Sequence, residues 1–147
     1  MITKNYKILL MAMLLFMGSF SAVAQKKKEP VNRILFIFDA SQSMLGRWQS
    51  GRKIDIAKNL LSNMVDSLKD IKNLEIGLRV YGHQKGYPPQ DCDDTKLEIP
   101  FLPADLAVER MKAKLTMIRS RGTTPIARSL EEGAKDFPIG NARNIVI

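Results

Sequence analysis

An unbroken apolar run, Ile34 to Phe38, is followed at once by a polar segment that begins with Asp39. The run is too short for a buried helix and is rich in residues that favour strands, so it predicts a strand covered on both faces. Strands of this kind occupy the centre of parallel sheets, whose faces are covered by helices. The run therefore predicts an α/β protein.

A helix and a second strand follow the run. Apolar residues recur at three- and four-residue spacings between Ile54 and Leu68, which is typical of an amphipathic helix with one face on a sheet. Leu74 to Tyr81 then alternates apolar with polar or small residues, as half-buried strands do. Strand, helix and strand imply a right-handed parallel crossover. We therefore predict a three-layer, Rossmann-like open sheet, mostly parallel, with helices on both faces.

The second half of the chain continues the alternation of strands and helices. The predicted segments are a loop (82–95), a short strand (96–101), a helix (106–118), a third helix (125–136) and a final strand (144–147). Thr124 is expected to be the N-cap of the third helix, with Pro125 at its first position. The final strand stops soon after it begins, so we expect the sequence to be truncated within an element.

The N-terminal segment has the order of a secretory signal peptide. Lys4 and Lys7 precede an apolar run from Ile8 to Met17, and a small-residue segment ends at Ala24. The run is about ten residues long, below the roughly 20 that a membrane-crossing helix needs. We expect cleavage after Ala24, no permanent membrane anchor, and a periplasmic, cell-surface or secreted location. An uncleaved anchor is the alternative.

Composition and charge limit the number of domains and the kinds of partner that the protein can have. A basic leader is expected at residues 25–32 and one domain at 33–147, since 147 residues with 45% hydrophobic and 26% charged positions suit one globular domain. The net charge is +8, but both signs are mixed along the chain, so nucleic-acid binding is not expected. Cys92 is the only cysteine, which leaves a free thiol, a disulfide between chains, or a disulfide to a cysteine outside this sequence.

Three oxygen-bearing side chains, those of Asp39, Ser41 and Ser43, alternate directly after the first strand. Ligands of open α/β sheets gather beyond the carboxyl ends of the strands. Side chains at alternate positions of a short loop can turn toward a common point, and hard oxygen ligands suit Mg²⁺ or a similar ion. The spacing indicates a metal site, and the alternative is that these side chains only cap local turns.

This Asp-x-Ser-x-Ser segment, with Gly122-Thr123-Thr124-Pro125 further along, resembles the metal-ion-dependent adhesion site of von Willebrand factor type A domains. The resemblance covers residues 31–147. Two further segments, Tyr81-Gly82-His83 and Asp91-Cys92-Asp93-Asp94, look like a bacterial exported branch of the family.

The resemblance implies that Asp39, Ser41, Ser43 and Thr124 bind a divalent cation, most simply Mg²⁺, with Mn²⁺ or Ca²⁺ as alternatives. It also implies that the vacant coordination position takes an Asp or Glu of a protein partner. Thr123 is the alternative to Thr124, whose other role is as an N-cap. In the family a further Asp follows the next strand; it would lie just past Ile147, so we expect a complete site only in a longer protein.

The same residues allow other functions. A scaffold module of an envelope assembly, with a vestigial metal site, is the main alternative to metal-dependent adhesion. An aspartate-dependent phosphotransferase needs a second acid where Ser41 stands, and a serine hydrolase needs a Gly-x-Ser-x-Gly turn that Ser41 and Ser43 lack. We therefore expect a binding protein and not an enzyme.

Three other features have no assigned chemistry. His83 is the only histidine, so a loop or packing role is favoured over transition-metal binding. Asp91, Asp93 and Asp94 are expected to form a solvated acidic turn, with a calcium site as the alternative. Trp48 is either a buried lid residue or an exposed aromatic anchor.

Overall fold

The computed structural model describes residues 29–147, so the predicted signal peptide and most of the predicted leader lie outside the described residues. The elements, in chain order, are β1 (Val31–Asp39), a 3₁₀ turn (Gln42–Leu45), β2 (Arg47–Trp48), β3 (Gly51–Arg52), α1 (Lys53–Asp66), β4 (Leu74–Tyr81), β5 (Thr95–Pro103), α2 (Ala104–Met117), α3 (Ile126–Asp136) and β6 (Ala142–Val146). Val31 already pairs with β6, so the sheet begins two residues before the expected boundary at residue 33.

The main sheet has the strand order β5-β4-β1-β6. β1 is central and runs parallel to both β4 and β6, while β5 runs antiparallel to β4. The antiparallel edge has a direct cause: no helix separates β4 from β5, and a chain that returns without a crossover must reverse its direction. The prediction of a mostly parallel sheet is confirmed.

The helices lie on both faces of the sheet, as predicted. Alternate residues of β1 and β4, such as Phe36 and Leu78, belong to one buried core with α1 and α2. The opposite face contacts α3, where a Cβ added to Gly133 would lie 3.0 Å from Leu35 and 3.2 Å from Ile37. Glycine at this position allows α3 to pack close to the central strand.

The start of α3 differs from the prediction. Pro125, not Thr124, is the N-cap residue, and it makes no side-chain capping hydrogen bond. Pro125 has φ −81° and ψ 64°, and the Ile126 amide donates to the Thr124 carbonyl at 3.0 Å, which together make an inverse γ-turn. The prediction that Thr124 caps the helix, with Pro125 as its first residue, is therefore wrong. Within residues 29–147, none of the helices has the length and apolar character to cross a membrane.

Candidate metal centre

The candidate centre lies just beyond the carboxyl end of the central strand. β1 ends at Asp39, and the next residue, Ala40, is completely buried and donates its amide to the Tyr81 carbonyl at 2.9 Å. Ser41 then forms a parallel bridge with Gly122, and the Gln42 amide donates to the Gly122 carbonyl at 2.8 Å. Backbone hydrogen bonds to two distant segments thus fix the loop that follows Asp39.

Hydrogen bonds join the three predicted ligands of this loop. The Ser41 amide donates to Asp39 Oδ1 at 2.7 Å, and the hydroxyl oxygens of Ser41 and Ser43 lie 3.1 Å apart. Ser41 is only 1% exposed, Asp39 is half-buried, and Ser43 is exposed on the 3₁₀ turn. The two hydroxyls therefore lie together, while the Asp39 carboxylate accepts from the Ser41 backbone as in a local turn, and the Ser43 side is open to solvent.

The separation of the two hydroxyls fits a small octahedral cation. Two adjacent ligands of such an ion, each about 2.1 Å from it, lie about 3.0 Å from one another. The observed 3.1 Å between Ser41 Oγ and Ser43 Oγ is close to that distance. The two hydroxyls are therefore spaced as two adjacent ligands of Mg²⁺ would be.

Tyr81 is a neighbour of the centre that the sequence analysis did not identify. It is paired with Asp39 in the β1–β4 register and is 6% exposed. Burial raises the pKa of the Tyr81 hydroxyl well above its ordinary value, and the adjacent Asp39 carboxylate raises it further. Tyr81 therefore stays protonated, as a neutral hydroxyl beside the predicted ligand Asp39.

The second predicted loop reaches the centre through its backbone. Gly122 contacts Ser41, and a Cβ on Gly82 would lie 2.5 Å from the Thr123 carbonyl oxygen, so the segments pack tightly. The Thr123 hydroxyl donates to the Asp91 carbonyl oxygen, which leaves Thr124, exposed to solvent, as the available hydroxyl of the pair. Among the described residues, no hydrogen bond joins Thr124 to the three ligands of the first loop.

Asp94 does not belong to a solvated turn, contrary to the prediction. It is 1% exposed and accepts hydrogen bonds from the amides of Gln84 and Lys85, at 3.1 and 3.2 Å. A Cβ on Gly122 would lie 2.6 Å from Asp94 Oδ2, so this carboxylate also contacts the second loop of the centre. Asp94 therefore orders the backbone that surrounds the candidate site.

The three aspartates of this segment do not converge. Asp91 pairs with Lys85 and Asp93 with Arg128, while Asp94 is buried. Within residues 29–147, no three His, Cys, Asp or Glu side chains are grouped as a metal cluster, so the calcium alternative for this segment finds no support. The candidate centre at Asp39 has one acid and several hydroxyls, so it is not the kind of site that a cluster of three such side chains would form.

Comparisons with known proteins support the fold. No family profile matches the chain. The uncharacterized protein YwmD of Bacillus subtilis is 28% identical over 126 residues, which cover 82% of this chain and 54% of that protein. The crystal structure of BatB from Bacteroides thetaiotaomicron has a TM-score of 0.55 at 21% identity, covering 78% of this chain and 52% of that one.

A further structure, the PilB minor pilin from Streptococcus sanguinis, has a TM-score of 0.64 at 18% identity and covers 81% of this chain and 29% of its own. The chain spans about half the length of YwmD and BatB. At these identities the likenesses establish the fold alone. The fold is of the von Willebrand factor A type: a mostly parallel sheet flanked by helices.

Trp48 lies on the short hairpin that follows the candidate ligands. β2 and β3 pair antiparallel, and Trp48 on this hairpin is 59% exposed. Leu45, at the end of the 3₁₀ turn that contains Ser43, is 43% exposed. Of the two alternatives for Trp48, the exposed aromatic residue is the correct one, and it lies a few residues from the candidate ligands.

His83 contacts a buried carboxylate, that of Glu98, so its role in the loop is to hydrogen-bond this acid. His83 Nε2 lies 2.9 Å from Glu98 Oε1, and Lys96 and Lys114 contact the same carboxylate at 3.1 and 2.8 Å. Burial raises the pKa of Glu98, but hydrogen bonds from Lys114, His83 and Lys96 outweigh it and lower the pKa to about 2.

Glu98→Gln is expected to lower the free energy of unfolding at pH 7 by about 1–2 kcal/mol, because charge-assisted hydrogen bonds to one acceptor are lost. Since the folded pKa of Glu98 lies below the ordinary 4.5, its contribution is present above that value and is lost as the pH falls toward about 2. Urea unfolding at pH 7 and pH 2.5 should show a smaller difference between wild type and variant at the lower pH. An equal difference at both values would contradict the assignment.

Proposed function

We propose that this chain is an exported protein-binding domain in which a divalent cation, held by Asp39, Ser41 and Ser43, coordinates an Asp or Glu of a partner protein. The observation that supports it best is the position of these residues just beyond the carboxyl end of the central strand, with the two hydroxyls 3.1 Å apart and the Asp39 carboxylate on the Ser41 amide. Thr124 is proposed as a further ligand from the second loop.

The chemistry of the ligand set favours recognition of a carboxylate. A divalent ion that binds one carboxylate and neutral hydroxyls keeps a net positive charge and therefore attracts another anionic oxygen. Ser43 is exposed, so a partner can approach from that side. Mg²⁺ is the first candidate because it prefers oxygen ligands in an octahedral arrangement, with Mn²⁺ or Ca²⁺ as alternatives.

Export and the absence of catalysis are parts of the same proposal. Export is supported by the order of the N-terminal segment, basic residues before an apolar run and small residues after it. One of the structural neighbours, PilB from Streptococcus sanguinis, is a minor pilin. No catalytic role is proposed for Asp39, because Ser41 stands where a phosphotransferase would need its second acid.

Asp39→Ala is expected to lower the affinity for Mn²⁺ or Mg²⁺ at least about tenfold, because the variant has lost the carboxylate that balances the ion's charge. Titration followed by calorimetry measures this directly. Thermal unfolding gives a second measurement, since an ion at a hundred times its Kd stabilises the folded state by about 2.7 kcal/mol.

Asp70→Ala is the matched control, since Asp70 is an exposed acid that lines a cavity near Val31, at the other end of β1. It should keep the affinity of the wild type. Ser43→Ala should reduce the affinity less than Asp39→Ala does, because only a neutral ligand is lost. Equal metal affinity in wild type and Asp39→Ala would overturn the proposed centre.

A further inference from the structure

A basic pocket adjoins the candidate metal centre. A cavity of about 250 Å³ between β5 and the end of α2 is lined by His83, Glu98, Lys114, Arg119 and Arg121, among others. Lys114, Arg119 and Arg121 are cationic, whereas Glu98 is the single acid among the described residues that line the cavity. The pocket is therefore positively charged overall, and none of the predicted metal ligands belongs to it.

The pocket and the centre share a wall of backbone. The Arg121 amide donates to the Gly82 carbonyl at 3.2 Å, and the next residue, Gly122, is the bridge partner of Ser41. On the other segment, His83 directly follows Gly82, whose added Cβ would lie 2.6 Å from the Ser41 Cα. His83 and Arg121 are thus each one residue, about 3.8 Å along the chain, from a residue that contacts Ser41.

Two cations of the pocket lack an acidic partner. Lys114 is paired with Glu98 at 2.8 Å, and Glu98 also accepts from Lys96 and His83. Arg119 and Arg121 are exposed and form no ion pair with any acid in residues 29–147. The Nδ1 atom of His83 is buried and has no hydrogen-bond partner among those residues. The pocket thus has unused hydrogen-bonding groups and unneutralised charge.

We propose that this pocket binds a second carboxylate of the partner, so that the partner segment is acidic at two positions, one at the cation and one at Arg119 and Arg121. The inference rests on the proposed function. Guanidinium groups bind carboxylates through paired hydrogen bonds, which makes arginine well suited to this role. An extended peptide advances about 3.3 Å per residue, so the two acids of a Glu-x-x-Glu segment lie about 10 Å from one another.

Two labelled peptides test the inference on the whole chain. The first is Gly-Gly-Glu-Gly-Gly-Glu-Gly-Gly, and the second replaces one Glu by Gln. Fluorescence anisotropy is measured with Mg²⁺ and with a chelator, on wild type, Arg119→Gln, Arg121→Gln and the double variant. Arg143→Gln is the control, because Arg143 is exposed on β6, at the opposite edge of the sheet.

In Mg²⁺ the two-acid peptide should bind wild type about tenfold more tightly than the one-acid peptide, as expected for an added charge-assisted hydrogen-bonded pair. The double Arg variant should reduce that advantage to about twofold or less while leaving the one-acid peptide unchanged, and Arg143→Gln should keep the full advantage. Circular dichroism checks that the variants fold, which is expected because both arginines are exposed.

The outcomes separate the two proposals. If both peptides bind equally and only with Mg²⁺, or if Arg143→Gln reduces the advantage as much as the double variant, the pocket inference is overturned and the metal centre stands. If the chelator changes nothing while the double variant abolishes the advantage, the pocket stands and the metal-dependent function is overturned.

Discussion

Gly82→Ala is expected to lower the free energy of unfolding by about 3 kcal/mol, the sum of a left-handed backbone cost of about 1–2 kcal/mol and an overpacking cost of about 1–3 kcal/mol. Gly82 has φ +69°, and its added Cβ would lie 2.5 Å from the Thr123 carbonyl oxygen and 2.6 Å from the Ser41 Cα. Both neighbours are backbone atoms, which cannot rotate away as a side chain can. The loss is measured by urea unfolding.

The same substitution should also weaken the metal centre. Relief of the clash must move Ser41 or the segment of Thr123, so the hydroxyls of the candidate site would lose their present arrangement. Gly86→Ala is the control from the same loop, because a Cβ there meets nothing within 4 Å. It should change stability by no more than about 0.5 kcal/mol. Equal stability of the two variants would show that the close approach at Gly82 is relieved without cost.

The elements that the sequence predicted well have a strong hydrophobic period and local boundaries. Leu74 to Tyr81 was predicted as a strand and is one, with the same ends. The helix from Ile54 to Leu68 is present as α1, Lys53–Asp66, since its apolar face recurs over several turns. β1 is longer than the apolar run that predicted it, because pairing with β6 begins at Val31, before the run.

The residues of the candidate site also fall into those that the local sequence predicts and those that it does not. Asp39, Ser41 and Ser43 could be predicted as a group because they lie within a few residues of each other on one loop. The positions of Tyr81 beside that loop and of Asp94 beside Gly122 depend on strand register and on contacts between distant segments, for which the local sequence has no signal. The prediction of where α3 begins was wrong for a related reason. A Thr-Pro pair suits an N-cap followed by the first helical residue, but the γ-turn at Pro125 moves the start of the helix by one residue.

Asp136→Ala is expected to lower the free energy of unfolding by about 3 kcal/mol, because it leaves a buried guanidinium without its counter-charge. Arg79 Nε and Nη2 donate to the two oxygens of Asp136 at 2.7 and 2.8 Å, and the side chains are 7% and 11% exposed. Among the side-chain hydrogen bonds within residues 29–147, Arg79 would then keep the one to the Thr95 hydroxyl, at 3.1 Å. Urea unfolding of the variant at pH 7 measures the loss.

Asp66→Ala is the matched control, because Asp66 also joins two elements, pairing with Lys112 at 2.9 Å, but at 39% and 44% side-chain exposure. It should cost no more than about 1 kcal/mol, as is usual for surface pairs. Equal losses in the two variants would contradict the role assigned to burial. Asp136 fixes α3 to the sheet, and Thr124 directly precedes the N-cap of that helix. Because Thr124 is proposed as a ligand, the folded fraction of Asp136→Ala should also bind the cation more weakly than wild type does. The affinity of Asp66→Ala should be that of the wild type.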